Sequence, residues 1–506
     1  MTVLSKIRTR FAPSPTGFLH VGGVRTLLYS WLLARHFDGQ FLLRVEDTDR
    51  TRLVPDSVNS LLEDLDWLGI DIDEGPSPEE LESAGYPRPS RVTLPGPVPL
   101  VQSLRIARYR EVAERLVNHG YAYRCDCDPE RLEAERVAQA AQGLPIGYGG
   151  RCRTREVPAT VPHVIRFRIP ESTSLSFEDP IRGRIAWTPV VLRDTIILKT
   201  DGFPTYHLAV VVDDHDARIS HVLRGEEWLS TTPVHLLIYR ALGWDIPVIA
   251  HLPVVLGADG KKLSKRHGAN DLRTFRENGY LPQALLNFLL LNGWSSGDDT
   301  EFFTRREMIE RFTLERVQAS PAVFSYEKLA WMNGVYMRRK SDEDLVSLIE
   351  PFLTHAGIPV DRTKLAAIIP YLRDRLKTSL ADAVPLIEFL FKEPVVTADL
   401  FRQVHLSRED LVRALRATLK GWESVTLFDA PTLEQELRKQ IELFGSSTKH
   451  VMMTVRLATT GRKVTPPLYE SLSILGRDVT LHRLAHAIEV LTSPSLEADS
   501  DFEPIA

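Results

Sequence analysis

The sequence predicts an α/β fold, a doubly wound parallel sheet interrupted by an inserted α+β domain and followed by an all-α region. Three observations predict it. Short apolar runs alternate with amphipathic segments from Ile7 to Leu68. β-branched residues crowd the stretch from about Val164 to Lys199. Beyond Tyr280 the pattern turns helical, with few β-rich runs after Met337.

Ile7–Ala12 reads as a short buried strand that runs into Pro13-Ser14-Pro15-Thr16-Gly17, where Pro and Gly force the chain off helix geometry. From His20 onward, Val24, Leu27, Leu28, Trp31 and Leu32 recur at the spacing of an amphipathic helix. Phe41–Val45 is the next strand, ahead of Glu46-Asp47-Thr48-Asp49-Arg50. Val58, Leu61, Leu62, Leu65 and Leu68 mark a second helix. Tyr86–Pro99, with five prolines, reads as an exposed loop, and a helix over Tyr109–Asn118 leads to Cys125. The β-branched clusters are Val190–Leu192 and Ile196–Leu198. After them the rhythm resumes: Leu208–Val212 is strongly apolar, Ile219–Leu223 is a strand and Val234–Leu242 a helix. Prolines at 351, 359, 370, 385 and 394 punctuate short helical segments, and Ser493–Ala506 is an acidic end.

The 506 residues suit about three to four domains. Apolar residues are 43% and charged residues 25%, enough for several packed cores. Sixty-two Lys+Arg against 67 Asp+Glu leave a net charge of −5, which excludes an overall basic coat but not a local basic face. Three cysteines rule out a disulfide framework and fit a reducing compartment. No apolar run approaches the ~18 residues of a membrane span; Leu285–Leu291 is the densest. Met1–Arg10 has no apolar core of a secretory signal, so the expected location is the cytoplasm.

Two motifs carry chemistry. In Pro13-Ser14-Pro15-Thr16-Gly17-Phe18-Leu19-His20-Val21-Gly22-Gly23, a strand end, a turn and a helix start follow one another. A helix N-terminus offers free N–H groups and a positive dipole end to an anion such as phosphate. Gly22 and Gly23 let a nucleotide lie against the backbone, and His20 is placed to donate to a phosphate oxygen. In Lys261-Lys262-Leu263-Ser264-Lys265-Arg266, four cations in six residues suit a polyphosphate whose charge builds as it leaves. Each motif alone also reads as ordinary structure, a strand–helix corner or a solvated basic turn.

Together, H-x-G-G at the first strand–helix turn and K-L-S-K-R after the last sheet strand are the paired signatures of class I aminoacyl-tRNA synthetases. The chain closely resembles the bacterial-type glutamyl-tRNA synthetases. The matching stretches are Arg10–Gly17, Val45–Arg50, Pro204–Ala209, Val212–His215, Arg224–Trp228 and Lys262–Arg266, in the family's order. The resemblance implies a Rossmann-type catalytic domain over 1–114 and 200–258. It also implies an inserted acceptor-stem-binding domain over 115–199, a helical linker over 259–330 carrying the K-L-S-K-R loop, and an all-α anticodon-binding region over 331–506.

The implied activity is two-step attachment of L-glutamate to tRNA(Glu). The glutamate α-carboxylate attacks the α-phosphate of ATP, and the 2′-hydroxyl of the terminal adenosine then attacks the glutamyl-adenylate. Positioning and charge stabilisation dominate both steps, and ATP arrives with Mg²⁺. The resemblance places Pro13, Ser14, His20, Gly22, Gly23 and Lys265 at ATP, with Lys262 in support. Two carboxylates and an ammonium call for arginines and a carboxylate, and by resemblance Arg10, Ser14, Glu46, Tyr206 and Arg224 line the amino-acid pocket. The plain reading of Arg10 and Glu46 is an ordinary ion pair. Val210 stands where the family usually has Asn, so another group makes that contact or the pocket is altered.

Cys125, Cys127 and Cys152 suit a structural Zn²⁺, which needs four ligands. By resemblance Tyr148 is the fourth, and Thr154 is a poor one. For the anticodon, Tyr371–Thr378 is the basic stretch to watch, with a solvated helix face as the plain alternative. The expected partners are tRNA(Glu) and L-glutamate, with no membrane and a monomeric chain. A non-discriminating form that also glutamylates tRNA(Gln) is the alternative, and a non-catalytic tRNA-binding paralogue a further one.

Overall fold

The structure, a computed structural model, describes residues 6–54, 56–89, 93–170, 174–187, 192–263, 271–444 and 447–493. The chain divides into two compact units, one formed by 1–276 and 285–326, the other by 277–284 and 327–506.

The first unit begins with strand β1 (Arg8–Phe11), helix α1 (Val21–His36) and strand β2 (Gln40–Leu43), a parallel pair with its crossover helix. Helices α2 (Ser57–Leu68), α3 (Pro78–Ser83) and α4 (Ile106–Asn118) follow. The expected loop over 86–99 is anchored in part: Tyr86 is buried and its hydroxyl donates to Asp47. Residues 90–92 lie outside the described residues.

The insertion starts at β3 (Ala122–Cys125) and helix α5 (Pro129–Ala141). It continues through β4 (Val164–Phe167), a hairpin of β5 (Leu175–Asp179) and β6 (Gly183–Trp187), and β7 (Thr195–Leu198). β3, β4 and β7 form an antiparallel sheet in that order. The expected cluster at 190–192 lies mostly outside the described residues.

The parallel pattern then returns. Helix α6 (Tyr206–Asp216) absorbs the apolar run at 208–212. Strand β8 (His221–Gly225), helix α7 (Thr232–Leu242) and strand β9 (Val248–Leu252) form the second parallel crossover. The two strand pairs abut at Ser220. Its N–H donates to Arg8 O at 3.0 Å, and its hydroxyl accepts from Arg8 N–H at 2.8 Å. The resulting order is β2-β1-β8-β9, with the carboxyl ends of all four strands on one side. Ligands bind at that end of an open α/β sheet, where the strand order reverses.

Two short strands, β10 (Val255–Leu256) and β11 (Ala322–Val323), pair in parallel. The second was not expected in a stretch read as helical. Two residues are too few to print a period in the sequence, and pairing with β10 makes the strand.

The second unit holds no strand among the described residues. Its helices share one apolar core that runs from Leu281 to Leu491. Pro351 and Pro370 do not separate helices as expected: they lie inside Asp342–His355 and Arg362–Leu372. A proline there removes one backbone hydrogen bond. The fully buried Ile349 and Leu353 on one helix, and Ile369 and Leu372 on the other, hold the turns around it. No helix among the described residues is long and apolar enough to cross a membrane.

Candidate active site

At the carboxyl ends of β1, β2 and β8 lies a cleft of about 1200 Å³. Pro13, Ser14, His20, Gly22 and Gly23 line it from the first turn and helix start. Arg10, Glu46, Tyr206, Arg224 and Lys262 line it from the strands and from the other half of the sheet. Lys265, with Ser264 and Arg266, lies outside the described residues.

His20 caps α1. Its backbone is extended, and its Nδ1 accepts from Gly23 N–H at 3.2 Å. With Nδ1 committed as acceptor, the neutral ring carries its proton on Nε2. Burial holds its pKa below the usual histidine range, and the nearby Lys262 adds to that. A Cβ at Gly22 would stand 3.2 Å from the His20 ring, and one at Gly23 2.9 Å from Leu19 Cδ1. Glycine therefore lets this turn close.

The chain on both sides of 264–270 returns to the same place. Asp271 bridges to His20, and Leu272 N–H donates to Leu19 O at 2.9 Å. Lys262 Nζ lies 3.3 Å from Glu227 Oε1, both side chains well exposed. Such an exposed pair is worth little in water.

Beneath the cleft runs a buried ionic network. Arg10 Nε donates to Asp214 Oδ1 at 3.1 Å, and Arg44 donates to Asp214 at 2.6 Å and to Glu46 at 2.9 Å. The plain alternative, an ion pair of Arg10 with Glu46, is not what forms: Arg10 pairs with Asp214, and Glu46 with Arg44. Arg105 pairs with Asp213 at 2.9 Å, and Gln102 and Tyr109 also donate to that carboxylate. Three guanidinium groups face three carboxylates, which is what deep burial of charge requires. Burial raises the Glu46 and Asp213 pKa values against the pull of the arginines. At Asp214 the attraction of Arg10 and Arg44 overcomes burial and holds the carboxyl below its usual range. Sequence reasoning missed Arg44. Its signal was a charge inside the apolar strand at 41–45.

Arg224 is different. It is buried, yet its partners are neutral: His251 Nε2 at 3.1 Å, His235 Nδ1 at 3.1 Å, Thr232 Oγ1 at 2.7 Å, Tyr206 Oη at 3.3 Å and Trp228 O at 3.4 Å. Burial and the arginine's charge push both histidines down, so they accept as neutral rings. A guanidinium held this way keeps its charge for an incoming carboxylate. Tyr206, at the start of α6, packs its ring 4.3 Å from that of Trp228. Val210, one turn on, is 3% exposed and packs in the apolar cluster shared by α4, α6 and α7.

The three cysteine sulfurs lie within 4.8 Å of one another. Tyr148 Oη is 3.5 Å from Cys125 Sγ and 4.0 Å from Cys127 Sγ. A tetrahedral metal fits three thiolates and a phenol at such spacing. The Arg166 guanidinium lies 3.9 Å from the centre of the Tyr148 ring. Asp126, which the sequence did not single out, has a carboxylate oxygen 3.3 Å from Cys152 Sγ.

In the second unit, the basic stretch at 371–378 is only partly exposed. Leu372 and Leu376 are buried, and Arg373 is tied to Arg338 O, Lys340 O and Asp342. Tyr371, Arg375 and Lys377 remain exposed.

Residues 6–331 match the family model for the catalytic domain of class I tRNA synthetases (E and Q), and residues 344–488 match an anticodon-binding domain. A glutamate–tRNA ligase of Dehalococcoides mccartyi is 42% identical over 495 residues, covering 96% of this chain and 99% of that protein. One of Treponema pallidum is 42% identical over 524 residues, covering 96% of this chain and 97% of its own. The crystal structure of a glutamate tRNA ligase from Elizabethkingia meningosepticum, in complex with its amino acid, superposes with a TM-score of 0.83 at 34% identity. That match covers 96% of this chain and 100% of the other. With both family models matched and 42% identity to a glutamate–tRNA ligase over 96% of its length, the chain belongs to the glutamyl-tRNA synthetase family of class I aminoacyl-tRNA synthetases.

Proposed function

We infer that this chain is a glutamate–tRNA ligase that forms glutamyl-adenylate from L-glutamate and ATP and transfers the glutamyl group to tRNA(Glu). The observation that carries the reading is the shared cleft. The cap of α1, the Lys262 segment and an arginine with no carboxylate partner among the described residues all meet there. His20, Gly22 and Gly23 receive the ATP phosphates and ribose, with Pro13 and Ser14 beside them. Lys265 and Lys262 offset the charge that builds on the α- and β-phosphates as pyrophosphate leaves. The Mg²⁺ that enters with ATP is held mainly by phosphates and water.

Arg10 and Arg224 take the carboxylates of the amino acid, Glu46 and Ser14 its ammonium, and Tyr206 adds a phenolic hydrogen bond. Neither step calls for a strong base, which agrees with a site rich in cations and backbone donors. Cys125, Cys127, Tyr148 and Cys152 hold one structural Zn²⁺ that fastens the inserted segment. The division of labour follows the sequence: 1–114 with 200–258 for catalysis, 115–199 for the acceptor stem, 259–330 as linker, and 331–506 for the anticodon. The setting is the cytoplasm, and the chain acts as a monomer.

The test is aminoacylation of separate glutamate and glutamine tRNAs with labelled glutamate and with labelled glutamine. The expected product is glutamyl-tRNA(Glu), with no glutamine transferred. Glutamate appearing on tRNA(Gln) would assign the non-discriminating form. Failure of tRNA-supported pyrophosphate exchange would mark a tRNA-binding paralogue.

A further inference from the structure

Arg224 is gripped from behind by groups that belong to no motif. Its Nε–H donates to His251 Nε2 at 3.1 Å, and an arginine has only donors, so that nitrogen accepts; Thr232 Oγ1, 3.0 Å from the same nitrogen, already accepts from Arg224 at 2.7 Å and faces the ring as a donor. The other ring nitrogen, Nδ1, lies 2.8 Å from Asp179 Oδ2, and the same oxygen accepts the His251 backbone N–H at 3.0 Å. A carboxylate facing Nδ1 demands a proton there. Asp179 therefore sets the tautomer that Arg224 needs.

Asp179 is itself fixed. Its Oδ1 accepts the backbone N–H groups of Ile181 at 2.8 Å and Arg182 at 3.1 Å, in the turn that joins β5 to β6. Gly183, at φ +72°, closes that turn in the left-handed region. Arg182 ties the hairpin to the sheet through His251 O, at 3.2 Å, and Glu226. Phe177 meets the His251 ring edge-on at 5.9 Å. The side chains of Asp179 and His251 are both wholly buried.

On the cleft side the grip is looser. Tyr206 and Trp228 line the cleft, and their contacts with Arg224, at 3.3 and 3.4 Å, are the longest it makes. Those two N–H groups exchange for a substrate carboxylate while the rear contacts hold the plane of the guanidinium.

We propose that Asp179 and His251 are positioning residues for amino-acid recognition, a pair through which the inserted hairpin aligns Arg224 with the substrate carboxylate. Without the Asp179 charge the Nε2–H tautomer becomes accessible and sets an N–H against the Arg224 N–H. The proposal rests on reading Arg224 as a carboxylate-binding residue.

The experiment uses the full-length enzyme in tRNA-supported pyrophosphate exchange. In Asp179→Asn the KM for glutamate rises about ten- to a hundredfold, the scale of a misaligned charged hydrogen bond, while the KM values for ATP and tRNA stay near wild type. In His251→Gln the amide oxygen offers Arg224 an acceptor that needs no tautomer, so adding Asp179→Asn to that variant changes the glutamate KM little further. An unchanged glutamate KM in folded Asp179→Asn, or equal rises for all three substrates, overturns the proposal. So does the same cost of Asp179→Asn with and without His251→Gln. If the variants do not fold, nitrogen NMR of the wild-type His251 ring decides: the Nδ1–H tautomer is expected, and the Nε2–H tautomer overturns the pair. Wild-type exchange that ignores glutamate would overturn the substrate reading and the proposal together, whereas the tautomer speaks to the pair alone.

Discussion

At the scale of single residues, the site is a sorting of charge by environment. Arg10, Arg44 and Arg105 share a buried network with Glu46, Asp213 and Asp214, whereas Arg224 sits among neutral rings and hydroxyls. The neutral rings have a consequence for stability. Burial pushes the His207 pKa down to about 4, and His235 and His251 shift in the same direction. Above the unfolded value of about 6.5 both states are neutral, so stability is fully present. As pH falls from there toward 4, the unfolded chain binds protons that the folded chain refuses, and stability is lost. The contribution of His207 is therefore level above pH 6.5 and declines below it, which the difference in thermal unfolding between wild type and His207→Asn from pH 8 to 4.5 should read. His207→Asn should flatten that decline, and an unchanged slope would remove His207 from the account. Arg44 shows why sequence reading stops short at this scale. An arginine in an apolar strand is legible as an anomaly, but its three carboxylate partners come from positions 46, 213 and 214.

Among elements, the N-terminus of α1 does two jobs with one side chain. His20 Nδ1 caps the helix through Gly23 N–H, which leaves Nε2–H for the ligand. The roles are separable because Asn caps a helix as well as any residue. His20→Asn should keep unfolding stability within about 0.5 kcal/mol of wild type and cut pyrophosphate exchange by about a hundredfold, as for loss of one transition-state donor. Equal loss of stability and exchange would make His20 a cap alone. The cysteine cluster is an element of its own kind. Cys125 ends β3, Cys152 lies in a short 3₁₀ turn, and Tyr123 and Val157 complete the small core around them. Protein purified without chelator should contain roughly one zinc per chain, and Cys152→Ser should lose most of it. Metal well below one equivalent in the wild type would make the cluster a packed set of reduced thiols. The helices of the second unit carry the opposite lesson. Prolines 351 and 370 suggest breaks, but the apolar face around each is fully buried and the helix continues through it.

For the molecule as a whole, a net charge of −5 has to coexist with binding of a polyanion, so the cations that meet it must be clustered locally. Tyr371, Arg375 and Lys377 are exposed in the expected basic stretch, beside an exposed Asp374, whereas Arg373 is spent on helix ends. Replacing Arg375 and Lys377 by alanine should weaken tRNA binding and make its salt dependence shallower, by about 0.7 to 0.9 in slope for each phosphate no longer neutralised. Filter binding over a salt series reads both, and an unchanged slope would return this stretch to the solvated surface. The sequence by itself determined the class of fold and the family, and it singled out the two motifs proposed to meet phosphate and the cysteine cluster. Those signals are local: a strand–turn–helix order, glycines at a tight turn, cations or thiols a few positions apart. Only the tertiary structure decided that Arg10 pairs with Asp214 and Glu46 with Arg44, that Val210 packs in the core, and that Asp179 stands behind His251 and Arg224. Those facts depend on residues distant in the chain meeting in space: Asp179 and His251 are 72 positions apart, Arg10 and Asp214 204. No periodicity records such a meeting, because it is fixed by which strands lie side by side and by the need to pair every buried charge and donor.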